Sequence, residues 1–145
     1  MATKIVTLPN DGTRIPKTVL VSTRPWWLFW LLPGYTITLY PSIYTSKKYF
    51  SVHNHNLLRS ICVHEAVHLR QQEPSKFNFY VNYIFSRQFR YKAEFEAYLE
   101  EFKFQMSEKN TPSIEAIADN LASIGYFWCV NKDKAIRDFR TALSL

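Results

Sequence analysis

Five consecutive residues, His64-Glu65-Ala66-Val67-His68, carry the most specific chemistry in this sequence. Histidines at positions i and i+4 of a helix lie one turn apart on one face, so their imidazoles can converge on a single metal ion. The glutamate sits about 100° round the helix from His64, where it can reach a water beside the metal without ligating the metal itself. Those residue types at that spacing fit metal-assisted hydrolysis. Shuffling the four histidines and eight glutamates of this chain would produce the pattern with a probability of roughly half a per cent, so the motif needs a helix under it and a third ligand beyond it.

Residues 56–73 contain neither Gly nor Pro, and Pro74 closes the run, which predicts a helix across the motif. Leu57, Ile61, His64, His68 and Gln71 share one stripe at helical spacing, and Val63 and Val67 form an adjacent apolar stripe. A helix with two such stripes packs between other elements. Asn54 or Asn56 is placed to cap its start. The two remaining histidines, His53 and His55, flank Asn54 and read as loop or helix-entry residues.

A third ligand is expected downstream. Residues 91–101 read as a second helix, in which Glu94 and Glu96 stand among Phe89, Tyr91, Phe95, Tyr98 and Phe102. A carboxylate on so apolar a surface needs a partner, because burying it alone is costly. Glu94 and Glu96 are two residues apart and point to nearly opposite sides of a helix, so only one of them can serve. The competing reading makes both of them part of a charged face with Lys92, Glu100, Glu101 and Lys103.

The chain resembles the zincin metallopeptidases, specifically the gluzincin type, whose third ligand is a glutamate on a later helix. Glu94-Phe95-Glu96-Ala97 matches the Glu-x-x-Ala pattern of such families, and Gln71 resembles the HExxHxxQ variant of small bacterial and phage zincin-like proteins. Residues 32–44 look like the strand region that precedes the motif in that group. The resemblance runs over about residues 26–99, and departs from the pattern at Tyr98, where relatives often carry Asp or Asn. It implies a zincin-like minimal metallopeptidase that binds zinc through His64, His68 and Glu94, with Glu96 as the fallback ligand. Glu65 would act as general base towards a water, and Tyr91, Tyr98, Tyr126 and Arg87 are candidates to stabilise the oxyanion. The implied partner is a peptide or protein substrate. Two alternatives stand beside peptide-bond hydrolysis: a catalytically inactive zincin-like binding or assembly protein, and a peptidoglycan amide hydrolase.

The 145 residues suit one domain, with a polar arm over residues 1–14. A composition 47% hydrophobic and 17% aromatic, with three glycines, excludes a disordered chain. The net charge of +6 permits contact with nucleic acid, but the basic residues are scattered, so a nucleic-acid-binding domain is a lesser alternative. Cys62 and Cys129 form no CxxC pair and read as free thiols. The N-terminus lacks the apolar run and cleavage site of a signal peptide, and the apolar stretch 26–32 is far shorter than the ~20 residues of a membrane span, so a cytoplasmic location is expected. Trp26, Trp27 and Trp30 of that stretch read as part of a buried strand, or less readily as a contact with a membrane interface.

Strands are expected over 17–22, 26–32 and 35–40, with Ile43-Tyr44 following, and helices over 75–88, 91–106, from Ser113, and from Asn131 to the end. Strands followed by helices argue an α+β fold: a small antiparallel N-terminal sheet, then a helical C-terminal half. The Thr-rich strand 35–40 is the expected sheet edge, to which an extended peptide could add.

Overall fold

The computed structural model describes residues 2–8, 16–25, 35–51 and 55–145. It forms two compact units, Met1–Pro74 and Ser75–Leu145. The fold is α+β: a small four-stranded mixed sheet precedes a mostly helical half. The expected strand at 26–32, the turn signals that Asn10-Asp11-Gly12 and Pro33-Gly34 give in the sequence, and the entry residues His53 and Asn54 lie outside the described residues.

The first unit carries β1 (Thr3–Thr7), β2 (Thr18–Thr23), β3 (Ile37–Leu39), β4 (Ser42–Thr45), the one-turn helix α1 (Lys47–Phe50) and the motif helix α2 (His55–Gln72). The strand order is β1-β2-β4-β3. β1 pairs antiparallel with β2, and β3 antiparallel with β4, but β2 and β4 run parallel. The sheet is therefore mixed, where the sequence suggested a wholly antiparallel one. Burial accounts for the difference. The parallel register sets Val21 opposite Ile43, and these two residues are fully buried in the two central strands. β-branched residues packed on a pleated surface are what a central strand requires. The threonine-containing β3 is left at one edge.

β1 also corrects the sequence reading. Thr3–Thr7 is not part of a polar arm but the other edge strand, held by a ladder from Thr3↔Ser22 to Thr7↔Thr18. Its Thr-Lys-Ile-Val-Thr sequence alternates in burial, as an edge strand does. The helix α2 packs against β3, β4 and β1, and its buried side comprises Leu58, Cys62, Val63, Ala66, Val67 and Leu69.

The second unit is helical: α3 (Lys76–Phe85), α4 (Arg87–Ser107), α5 (Ile114–Leu121), a 3₁₀ turn at Ile124–Tyr126, and α6 (Lys132–Leu143). Each of its α-helices begins with a side-chain cap. Ser75, Ser86 and Ser113 hydroxyls accept from the backbone N–H three residues on, and Asn131 accepts from Asp133 and Lys134. The break expected between helices 75–88 and 91–106 falls earlier, at Ser86, which ends α3 and caps α4. The core of this unit gathers Phe102, Ile117, Leu121, Val130 and Phe139 around Ala118 and Ala135.

Phe139 is fully buried with its ring centroid 4.6 Å from that of Phe95. Phe139→Ala should cost about 3–5 kcal/mol, read as a lowered urea midpoint at constant slope. A loss under about 1 kcal/mol would contradict the packing described.

Candidate metal centre

The motif helix buries five polar side chains on its way to Pro74: Ser60, His64, Glu65, His68 and Gln72. Buried polar groups require hydrogen-bond partners, and the first unit supplies several from β3. The Thr38 hydroxyl donates to Glu65 Oε2 at 2.6 Å and lies 3.3 Å from the Glu65 carbonyl oxygen. The shorter contact falls in the range of a charge-assisted bond to a carboxylate. It fixes one carboxylate oxygen on the sheet side.

Gln72 performs the matching task one turn beyond His68. Its Nε2 donates to the Thr38 carbonyl at 3.2 Å and its Oε1 accepts from the Tyr40 N–H at 3.1 Å. One primary amide thus satisfies two backbone groups of the edge strand and locks α2 against β3 at a defined register. The segment expected to offer a sheet edge to an extended ligand carries the Gln72 amide on those two groups.

The imidazoles of His64 and His68 stand with centroids 5.1 Å apart and planes at 74°. His68 Nδ1 lies 2.9 Å from Gln71 Oε1. An amide oxygen is an acceptor, so Nδ1 donates in this contact, and a neutral His68 then keeps its lone pair on Nε2, the arrangement a metal-ligating histidine uses.

In the second unit, α4 presents Arg90, Ala93, Glu94 and Ala97 on one buried stripe. Glu94 is buried and Glu96 exposed, as their separation of two residues on a helix requires. The Tyr83 hydroxyl donates to Glu94 Oε1. Arg90 holds the end of α3 through the carbonyls of Tyr83 and Ile84 and reaches the Tyr126 carbonyl at 3.1 Å.

Among the described residues, His64, His68 and Glu94 form a group able to hold a metal ion. Each offers one ligand atom, all three residues are buried, and these atoms lie within 4.8 Å of one another. Two imidazole nitrogens and one carboxylate oxygen form a donor set suited to zinc and to other first-row divalent ions.

The candidate oxyanion groups have other commitments. Tyr91 donates to Asp138 Oδ2 at 2.6 Å, and the Tyr98 and Tyr126 hydroxyls bond to each other at 2.7 Å. Arg87 is exposed. Burial, then the charge of Glu94, raises the Tyr126 phenol well above its ordinary range. Sequence reasoning passed over Thr38, Gln72 and Tyr83. The available signal was the rule that buried carboxylates and amides need donors, but nothing in the sequence says which distant residue provides one. A cleft of about 600 Å³ in the first unit, lined by Ile5, Leu20, Tyr40, Pro41, Leu69 and Arg70 among others, includes neither motif histidine nor Glu65.

Both cysteines are buried free thiols. Burial, reinforced by the charge of Glu65 and opposed by Lys4, pushes the Cys62 thiol up to about 12. Comparison with known protein families, curated proteins and solved structures finds no match.

Burial, then the charge of Glu94, pushes the Cys129 thiol from 9.0 up to about 11. The unfolded chain therefore releases this proton first as pH rises. The Cys129 contribution to stability is whole below about pH 9 and lost as pH climbs towards 11. Urea unfolding at pH 8 and at pH 10.5 should show a smaller alkaline loss in Cys129→Ala than in the wild type. Equal losses would contradict the burial of the thiol.

Proposed function

We propose that this chain is a zinc-dependent peptidase of the zincin-like, gluzincin type. The observation that carries the reading is the buried grouping of His64, His68 and Glu94 beside a Glu65 whose carboxylate is held by Thr38. In this reading the two histidines and Glu94 would hold the ion, and three protein ligands are the number of a catalytic rather than a closed structural site. Zinc, when bound, supplies Lewis-acid polarisation of a carbonyl and a more acidic water.

The chain's own residues do the rest. Glu65, anchored through Oε2 by the Thr38 hydroxyl, would use its other oxygen to accept a proton from the attacking water and later return it to the leaving amine. Gln71 sets the His68 tautomer. Tyr83 holds the Glu94 carboxylate in place from α3. Gln72 fixes β3 against α2, which keeps Thr38 opposite Glu65.

A second reading, a zincin-like binding or assembly protein without turnover, is favoured by one feature. The Gln72 amide already engages two backbone groups of the strand to which an extended substrate would add.

Hydrolysis of a mixed-sequence peptide library, followed by mass spectrometry, tests the choice. The zinc-loaded wild type should cleave and the chelated protein should not. Glu65→Gln should retain zinc and lose at least about 100-fold in rate. Glu65→Gln with wild-type turnover would overturn the mechanism. Tight zinc binding with no cleavage of peptides or of peptidoglycan fragments would favour the binding protein.

A further inference from the structure

Helix α3 exposes its apolar side. Phe77 is 77% exposed, Val81 38%, Ile84 65% and Phe85 83%. At 100° per residue these four positions fall within an arc of about 100°, a full amphipathic stripe turned towards solvent. The residues that face inwards are on the other side of the helix: Phe79 is buried, stacked on Tyr83 and edge-on to Phe89. The stripe is therefore not the helix's core-facing side.

A second exposed aromatic pair belongs to the same surface. Phe127 and Trp128 are 61% and 56% exposed. Both hold left-handed backbone conformations, with φ of 52° and 46°, a region that non-glycine residues seldom enter. Buried Arg90 joins the two parts. Its guanidinium bonds the carbonyls of Tyr83 and Ile84 at the end of α3 and the carbonyl of Tyr126, and it lies 5.2 Å from the Phe127 ring centre. The exposed ends of α3 and of the 126–128 turn are thereby held side by side.

The segment that carries α3 and the start of α4 is locally basic. Between Glu73 and Glu94 the sequence contains no acidic residue and four basic ones, Lys76, Arg87, Arg90 and Lys92, of which Lys76, Arg87 and Lys92 are exposed. The second unit as a whole is nearly neutral, with ten Lys and Arg against nine Asp and Glu over residues 75–145, so the bias is local to this segment.

We propose that this face docks the protein on an anionic lipid surface, with Phe77, Ile84, Phe85 and Trp128 entering the headgroup boundary and Arg87 and Lys92 meeting the lipid phosphates. Exposed phenylalanines on one stripe of α3, with a tryptophan on the neighbouring turn and basic residues in the same segment, match the composition of an interfacial helix. Among the described residues no helix is long and apolar enough to cross a membrane, so the contact is peripheral.

The test is sedimentation of the full chain with phosphatidylcholine vesicles, with and without phosphatidylglycerol, and it needs no metal. The protein should pellet with the anionic vesicles and not with the neutral ones, and added salt should release it. Phe77→Ser with Phe85→Ser should weaken binding at least about tenfold, with circular dichroism unchanged. Arg87→Gln with Lys92→Gln, which leaves the apolar stripe intact, should weaken it as well. No pelleting at low salt, or equal pelleting with neutral vesicles, would overturn the proposal. So would self-association in light scattering that the phenylalanine substitutions abolish, which would assign the face to a second copy of the chain.

Discussion

A buried polar side chain must find a partner, and helix α2 carries five of them. Ser60, His64, Glu65, His68 and Gln72 are removed from water on a helix that otherwise packs Val63, Ala66 and Val67. Leaving any such group unsatisfied costs about 1–3 kcal/mol, and more for a charged one. The arrangement of the first unit follows from meeting that requirement. The edge strand β3 is placed so that Thr38 serves Glu65, and its own backbone at Thr38 and Tyr40 is served in return by Gln72. Strand and helix are thus fixed by reciprocal satisfaction as much as by apolar contact.

The same requirement governs the acidic residue of the second unit. Glu94 occupies a stripe of α4 whose neighbours Ala93 and Ala97 are small and buried, and Tyr83 donates to one of its oxygens. A fold that only needed to bury α4 would gain more from an apolar residue here, since a buried carboxylate contributes stability only through its partners. In the function proposed above, a metal held by Glu94 together with His64 and His68 would account for a carboxylate at this position.

Much of this was legible in the sequence where the signal is local. The motif helix was readable because residues 56–73 contain no breaker and Pro74 ends them; the observed helix is His55–Gln72. Asn131 announced α6 through its capping chemistry. Glu94 and Glu96 were separable in principle by helical geometry, but only the packing decided which of them is buried. What escaped depends on distant partners. Thr3–Thr7 becomes a strand only through its ladder with β2, and the parallel join of β2 to β4 is a choice among registers that no local pattern encodes. Thr38 meets Glu65 across 27 residues and Tyr83 meets Glu94 across 11. Phe77, Tyr80, Val81, Ile84 and Phe85 recur at helical spacing in the sequence, but that spacing does not say that Phe79 is the buried residue of α3. The helix α1, a single turn capped by Ser46, is too short to register as a period.

The central claim is that two imidazoles and one carboxylate of this chain share an ion. X-ray absorption at the zinc edge, on the chain loaded with one equivalent and on its Glu94→Ala and Glu96→Ala variants, addresses it most directly. The account predicts a low-coordinate site with two imidazole ligands and a carboxylate, lost in Glu94→Ala and intact in Glu96→Ala. A chain that takes up no zinc, or a spectrum that Glu94→Ala leaves unchanged, would contradict it.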